Sequence, residues 1–515
     1  MNTFFQRMLS TTNSGLSGPD SVIQTPRFAL MLMIFGTVAI PLIIIGTQGS
    51  IGIGAAFFFV LAIVLVTFYR LDWGFILWVG LVLIADNYEI PGFNPLTYTV
   101  YYLLTLNVAF KGLGIGVLAP IEVHMLLYLF IFFFVNMLKK TFQKRENPIA
   151  YPAILFFGWL IISLLYGKSR GGDMQMGGWE IRALVFFGIT FFLVRYVITT
   201  KDQVKNLLWV CIATISVKAF QAVDRFVFLG FDFGGRRALA NHEDPVFAVT
   251  LFILLFGLIF FRGYDKQKKA LLYLLPFLLL GFYVANRRAT YASFGICLIA
   301  FIIILSANER KRLMKGLLIF SIFFSIYLVA YWDSYGRLAV VAQAVKSTMF
   351  SHDKEMTRGS DYSSGLARDH ENYNLAVTFR NAPIMGIGFG NKHEWAIQAY
   401  GEYALKGYIT HNQILWLLTK TGSIGFFFFL FFLNLIVMHG AYTFSKLTDP
   451  YFKAVCIMCI VAVLNQVVVS FVDMQLTFYR NMVYLGTLTG LISTLGRLDL
   501  EQILLRQHTT DTRTS

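Results

Sequence analysis

Apolar runs long enough to cross a bilayer recur along almost the whole 515-residue chain, and they constrain its fold more than any other feature. A helix needs about 20 predominantly apolar residues to span the hydrocarbon core, because each residue rises only ~1.5 Å and every backbone polar group must be bonded within the segment. Such runs lie near 28–47, 51–69, 72–86, 115–138, 149–166, 181–199, 206–222, 245–262, 270–286, 290–307, 314–332, 412–437, 452–472 and 481–496. They predict an all-α polytopic membrane protein with about 14 transmembrane helices. The range is about 12 to 15, because Leu96 to Gly112 reads either as a further span or as an interfacial segment. The run Phe28 to Thr47 exceeds the apolar stretch of a signal peptide and reads as a permanent first helix.

Composition closes the alternative. With 57% hydrophobic and 14% charged residues, no compact soluble core could hide the apolar surface. The 52 phenylalanines suit lipid-facing positions, and Phe426 to Phe429 reads as lipid contact. Cys456 and Cys459 share one helix face inside an apolar run with no second Cys or His pair near them, which predicts buried thiols and no metal site.

A net charge of +15 reads here as topology and not as nucleic-acid binding. Lys139, Lys140, Lys144 and Arg145, then Arg262, Lys266, Lys268 and Lys269, then Arg310, Lys311, Arg312 and Lys315 fall on one side if the spans alternate. That side is assigned to the cytoplasm. The chain then divides into an N-terminal tail 1–27, helices over 28–332, a large outward loop 333–411, helices over 412–496 and a C-terminal tail 497–515, with loops 167–180, 223–244, 286–289 and 473–480 also facing outward.

The outward loops carry arginines that positive charge normally avoids: Arg236, Arg237, Arg287, Arg288, Arg368 and Arg380. Arg287-Arg288 reads either as a pair snorkelling to the headgroups or as a bidentate phosphate ligand. Asp244-Pro245 fits a helix start, and His411-Asn412 opens a span, where a histidine is either interfacial or functional. Gly386, Gly388 and Gly390 let backbone approach a ligand closely, and Gly422 and Gly425 suit tight helix packing. Edge residues Glu122 and His124 read as structural hydrogen bonds to neighbouring helices or as a proton relay, and Glu180, Arg182, Asp473 and Arg480 as ion pairs or parts of the acceptor cavity.

The order Arg237…Asp244-Pro245, Asn286-Arg287-Arg288-Ala289, Arg368 with Asn381 to Gly390, then His411-Asn412 with Leu415, Gly422 and Gly425 resembles the O-antigen ligase/polymerase superfamily, over about residues 230 to 430. The chain departs from the family pattern at Lys420, where a Glu is usual, and at Asp244-Pro245-Val246, where the pattern is Asn-Pro-Asn-like. The resemblance implies a GT-C-like membrane glycosyltransferase of the bacterial inner membrane. Its donor would be a glycan on undecaprenyl pyrophosphate, its acceptor a glycan, lipid A core or protein hydroxyl, and its site would face the periplasm. His411 is then the base. Arg237, Arg287 or Arg288, and Arg368 are the candidates for the pyrophosphate clamp, with Arg236, Arg380, Asn412 and Asp244 as supporting candidates. Transfer would be inverting, with no metal or other cofactor and no nucleic-acid partner. A lipid-linked sugar transporter or flippase would instead show repeats and interrupted helices with polar groups near the midplane. A non-catalytic component of an export system predicts nothing for His411.

Overall fold

The computed structural model describes residues 61–85, 88, 90–92, 118–139 and 147–514, less 235, 237, 335, 351, 352, 354, 357, 358 and 399–404. The expected span at 28–47, most of that at 51–69, and the Leu96 to Gly112 segment lie outside the described residues. Two compact units are present, one up to Arg145 and one from Glu146 onward.

In the first unit, residues 61–69 are helical, followed by α1 (Leu71–Ile84) and α2 (Pro120–Lys139). Val64, Ile131 and Val135 pack together against Leu71 and Leu127. The opposite stripe of α2, Leu126, Phe130, Phe133 and Met137 at helical spacing, is exposed, as an apolar face turned toward lipid would be. Glu122 caps its own helix by accepting the Ala119 N–H at 2.7 Å, and buried His124 lies edge-on to Trp78 across the unit.

The second unit contains α3 (Ala150–Ser169), α4 (Met174–Val197), α5 (Lys201–Phe228), α6 (Asp244–Phe260), α7 (Asp265–Ala285), α8 (Arg288–Ile304) and α9 (Ala307–Tyr331). They are followed by α10 (Val340–Met349), α11 (Gly359–Asn381), α12 (Gln413–Lys446), α13 (Pro450–Ser470) and α14 (Tyr479–Thr514). Their starts are written locally. Thr200 with Gln203 and Ser306 with Glu309 form capping boxes, and Asp173 and Asp449 accept from the first-turn N–H groups of α4 and α13. The Asp244-Pro245 pair does open α6, but the helix starts one residue earlier than a cap at Asp244 would place it: Glu243 is the cap residue and Asp244 is the first helical one.

Every span expected from residue 72 onward coincides with a helix, and no strand occurs among the described residues. By length and composition α2, α3, α5, α7, α9, α12 and α13 can each cross a bilayer, and α1, α6 and α8 are shorter apolar helices. Helix α4 carries Glu180, Arg182 and Arg195 within its length. The segment 333–411 is partly helical, holding a 3-10 turn at Arg337–Ala339 as well as α10 and α11. Residues 497–514, expected as a tail, continue α14. There Asp499 accepts from the Thr448 and Asp449 N–H groups at the start of α13.

Helices α6 and α13 are buried along most of their length and form the centre, whereas α9 buries none of its residues. The remaining helices pack in close pairs. Gly486 and Gly490 on α14 admit the backbone of α4 so tightly that a Cβ at either position would collide with Phe187 or Phe191 carbonyl oxygens. The run Phe426 to Phe429 divides, correcting its reading as lipid contact throughout: Phe427 is exposed, but Phe429 is buried on Phe156 in a ring cluster with Phe187, Phe191 and Phe432. A helix cannot turn four consecutive side chains the same way. Cys456 and Cys459 are free and buried, as their apolar setting predicted, and so are Cys211 and Cys297.

Helix α12 is broken at Gly422, which sits at φ 67°, ψ −176°. A break frees the carbonyls before it and the amides after it, and inside a membrane each must find a partner. Ile387 and Gly388 donate to the Thr419 and Lys420 carbonyls at 3.0 Å, and Trp159 Nε1 donates to Thr421 O at 3.0 Å. Ser423 N–H donates to Pro383 O at 2.9 Å and Ile424 N–H to Ile384 O at 3.4 Å. The chain from Pro383 to Gly388 therefore docks into the break. This corrects the expectation that the glycine cluster meets a ligand. Gly386, Gly388 and Gly390 all have left-handed φ (72°, 77° and 85°), and a Cβ on them would strike Gly422, Gly167 and Asp173 backbone.

Candidate active site

Four segments separated in sequence converge on one cavity of about 770 Å³: the loop before α6, the α7–α8 turn, the large loop, and the α13–α14 connection. All come from stretches that the charge pattern puts on a single face. The turn is built by Asn286, which ends α7 in the left-handed conformation (φ 43°, ψ 50°) so that Arg287 becomes the cap residue of α8 and Arg288 its first helical residue. Both line the cavity, together with Arg236, Arg337 and Arg368. Arg288 donates to the Ser347 carbonyl at 3.3 Å and lies 3.9 Å from the Asp361 carboxylate.

Arg368 is carried by α11. Burial lowers the pKa of its guanidinium below the ordinary value, and neighbouring Arg288 and Arg287 act the same way, while the Asp473 and Glu371 carboxylates oppose them. A guanidinium keeps its proton through such a shift, so three fixed cations share one wall. Asp473, which also lines the cavity, is a counter-charge to Arg287 and Arg368. Burial pushes its carboxyl up, but the His242 ring at 2.9 Å and Arg287 hold it well below the usual carboxylate range.

His411 and Glu371 form the second part of the site. Glu371 lies one helical turn beyond Arg368 on α11, and its buried carboxylate accepts from the His411 backbone N–H at 3.1 Å and from ring Nδ1 at 3.0 Å. A carboxylate only accepts, so the hydrogen sits on Nδ1 and the lone pair is presented at Nε2. Asn412 fixes the position of this pair: its Oδ1 caps α12 by accepting Leu415 N–H at 3.0 Å, and it also lines the cavity. An oriented imidazole thus stands beside a wall of guanidiniums, an arrangement able to remove a proton while stabilising an anionic group.

Of the residues singled out in the sequence, Arg236, Arg287, Arg288, Arg368 and Asn412 line the cavity, and His411 adjoins it through Asn412. Arg237 lies outside the described residues. Arg380 is exposed at the far end of α11 and is not among the lining residues. Asp244 is likewise absent from the lining. It is buried 2.6 Å from Arg480, with Lys218 at 3.7 Å. Of the edge residues, Asp473 lines the cavity and pairs with His242, Glu180 pairs with Lys420, and Arg182 lies over the rings of Trp179 and Tyr479. Glu371 and Arg337 were not singled out in the sequence. The available signal for Glu371 was its i,i+3 spacing from Arg368, which becomes visible only if 359–381 is taken as one helix.

Residues 271–430 match the family model described as O-antigen ligase. That segment is an O-antigen ligase domain, and the resemblance to the O-antigen ligase/polymerase superfamily is borne out over it. It holds Arg287, Arg288, Arg368, Glu371 and His411, whereas Arg236, His242 and Asp473 lie outside the match. Members of that family are membrane ligases and polymerases, and this chain has the several long apolar helices of a multi-pass membrane protein. No curated protein matches the chain.

Proposed function

We propose that this chain transfers a glycan, with inversion, from an undecaprenyl-pyrophosphate-linked donor to an acceptor hydroxyl on the periplasmic face of the bacterial inner membrane. The observation that carries the reading is the His411–Glu371 pair, 3.0 Å apart and next to a cavity that presents Arg287, Arg288 and Arg368. The donor's diphosphate binds the guanidiniums. As the acceptor oxygen forms its bond to the anomeric carbon, its proton passes to His411 Nε2. The bond from that carbon to the phosphate oxygen breaks, and its electrons leave with the lipid pyrophosphate. Glu371 keeps the ring oriented and stabilises the imidazolium. Fixed arginines meet the charge that develops on the leaving group, so the step calls on no metal. One displacement with no protein nucleophile gives inversion.

The break in α12 is a feature that favours transport, since transporters use interrupted helices around a midplane site. Here the freed groups are taken by Pro383 to Gly388 and by Trp159, so the break is filled with protein backbone. The test is His411→Ala and Arg288→Ala, each in a strain scored for surface polysaccharide, with protein levels checked. Loss of polymer or ligated glycan, with lipid-linked glycan accumulating outside, supports transfer; normal surface glycan from both variants at normal levels refutes it. The glycan profile of a deletion strain then separates the acceptors. Retained single repeats indicate a polymerase, and intact polymer left on the carrier indicates a ligase.

A further inference from the structure

We propose that Asn372 and Asn412 form a subsite that holds the acceptor, binding the hydroxyls beside the attacking one on a neutral sugar ring with a vicinal diol. The proposal rests on the glycosyl-transfer reading above and assigns the acceptor a place within it. Each asparagine directly follows one member of the His411–Glu371 pair in sequence, and both line the same cavity.

Helix α11 shows why Asn372 is placed there. Asp361, Gly365, Arg368 and Asn372 recur every three or four residues and all line the cavity, so they form one face of the helix. Beyond Asn372 the helix turns to protein: Leu375 is buried and its carbonyl accepts from Thr419 of α12 at 3.4 Å. Asn372 is therefore the last cavity-facing rung, beside Glu371. Its carboxamide Oδ1 is buried and has no hydrogen-bond partner among the described residues. Buried acceptors are normally bonded, and leaving one unbonded is unfavourable, so this atom calls for a donor from whatever fills the cavity.

Asn412 supplies the complement. Its Oδ1 is occupied by Leu415 N–H at 3.0 Å, which sets the amide orientation and leaves its NH₂ as the group a ligand can use. One cavity thus offers an acceptor and a donor, each next in sequence to a member of the His411–Glu371 pair. Phosphate oxygens accept but do not donate near neutral pH, so a diphosphate can satisfy the arginines but not Asn372 Oδ1. A hydroxyl both donates and accepts. Two adjacent hydroxyls fit the two asparagines, with a third presented to His411 Nε2.

The experiment uses the full-length protein in nanodiscs, with lipid-linked glycan and unsubstituted acceptor glycan both extracted from a deletion strain and titrated separately. Asn372→Ala is expected to raise the acceptor KM on the order of tenfold while donor KM stays within about twofold. Asn372→Asp, which keeps the oxygen, is expected to recover acceptor KM. Asn412→Ser keeps a helix-capping oxygen but lacks the NH₂, and is expected to raise acceptor KM even if Asn372→Ala does not fold. Unchanged acceptor KM in the folded alanine and serine variants, or a donor KM that rises in step, overturns the subsite while leaving transfer intact. No product from the wild-type protein at any concentration of the two extracts overturns the transfer reading, and the subsite with it.

Discussion

Lys420 Nζ lies 2.6 Å from Glu180 Oε1, and both side chains are completely buried. The pair ties α4 to the upper half of α12 while Glu180 Oε2 also accepts the Gly390 N–H at 2.5 Å. Lys420 stands where the family pattern has a Glu, and the structure gives that departure a partner 240 residues earlier in the chain. Removing one member leaves the other charge uncompensated in the interior, which costs about 3–5 kcal/mol, whereas replacing both is far better tolerated. Lys420→Met is therefore expected to melt well below the wild type in detergent, with Glu180→Gln/Lys420→Met recovering most of the loss. A single variant as stable as the wild type would remove the pair from the account.

Glu371→Gln tests whether His411 is held for proton transfer. Glutamine retains an acceptor for the His411 N–H but not the negative charge that supports an imidazolium. Turnover is expected to fall roughly 10²-fold, within the range of about 10²–10⁴ attributed to general base catalysis, with donor KM little changed. Initial rates across donor concentrations decide it. A large rise in donor KM at unchanged turnover would place Glu371 in donor binding.

What was legible beforehand divides along physical lines. Spans are local patterns, so each apolar span expected from residue 72 onward meets a helix, whereas α10 and α11 inside the polar loop and the extension of α14 to Thr514 carry no such pattern and were not placed. The arginines stood out because positive charge on the outward face is unfavourable without an anion. Partners were not legible. Glu371 meets His411 across 40 residues, and His242 meets Asp473 across 231, distances at which sequence spacing carries no geometric information. The glycine cluster was read as a ligand cradle because φ > 0 and close approach leave the same sequence signature whether the neighbour is a ligand or the backbone of a broken helix.

Arg288 and Arg368 are expected to act on the donor. Charge-assisted hydrogen bonds contribute roughly 1.5–3 kcal/mol, so Arg288→Ala should raise donor KM about tenfold to a hundredfold while the acceptor KM changes little. Arg288→Lys keeps the charge but not the bidentate geometry and should fall between. Separate donor and acceptor titrations distinguish this from a general loss of fold, and an unchanged donor KM in Arg288→Ala would contradict the clamp.

His393, in the large loop, links stability to pH. Burial lowers its pKa to about 4, with nearby Lys420 acting the same way, against an ordinary value of 6.5. Between those values the unfolded chain holds a proton that the folded chain does not, so this contribution is complete above about pH 6.5 and is lost as pH falls toward 4. The loss between about pH 7.5 and 5 is roughly 2 kcal/mol. Thermal melts at those two pH values should show a drop that is smaller in His393→Gln. An identical drop in both proteins would assign the acid sensitivity elsewhere.

The central claim is that His411 takes the acceptor's proton in a glycosyl transfer powered by a pyrophosphate leaving group. The most direct measurement is product formation by purified wild-type protein and His411→Ala, supplied with lipid-linked glycan and acceptor, alongside donor binding by each. Transfer is expected from the wild type, with a loss of about 10²-fold or more in the variant and donor binding retained by both. Transfer by His411→Ala at the wild-type rate would contradict that claim.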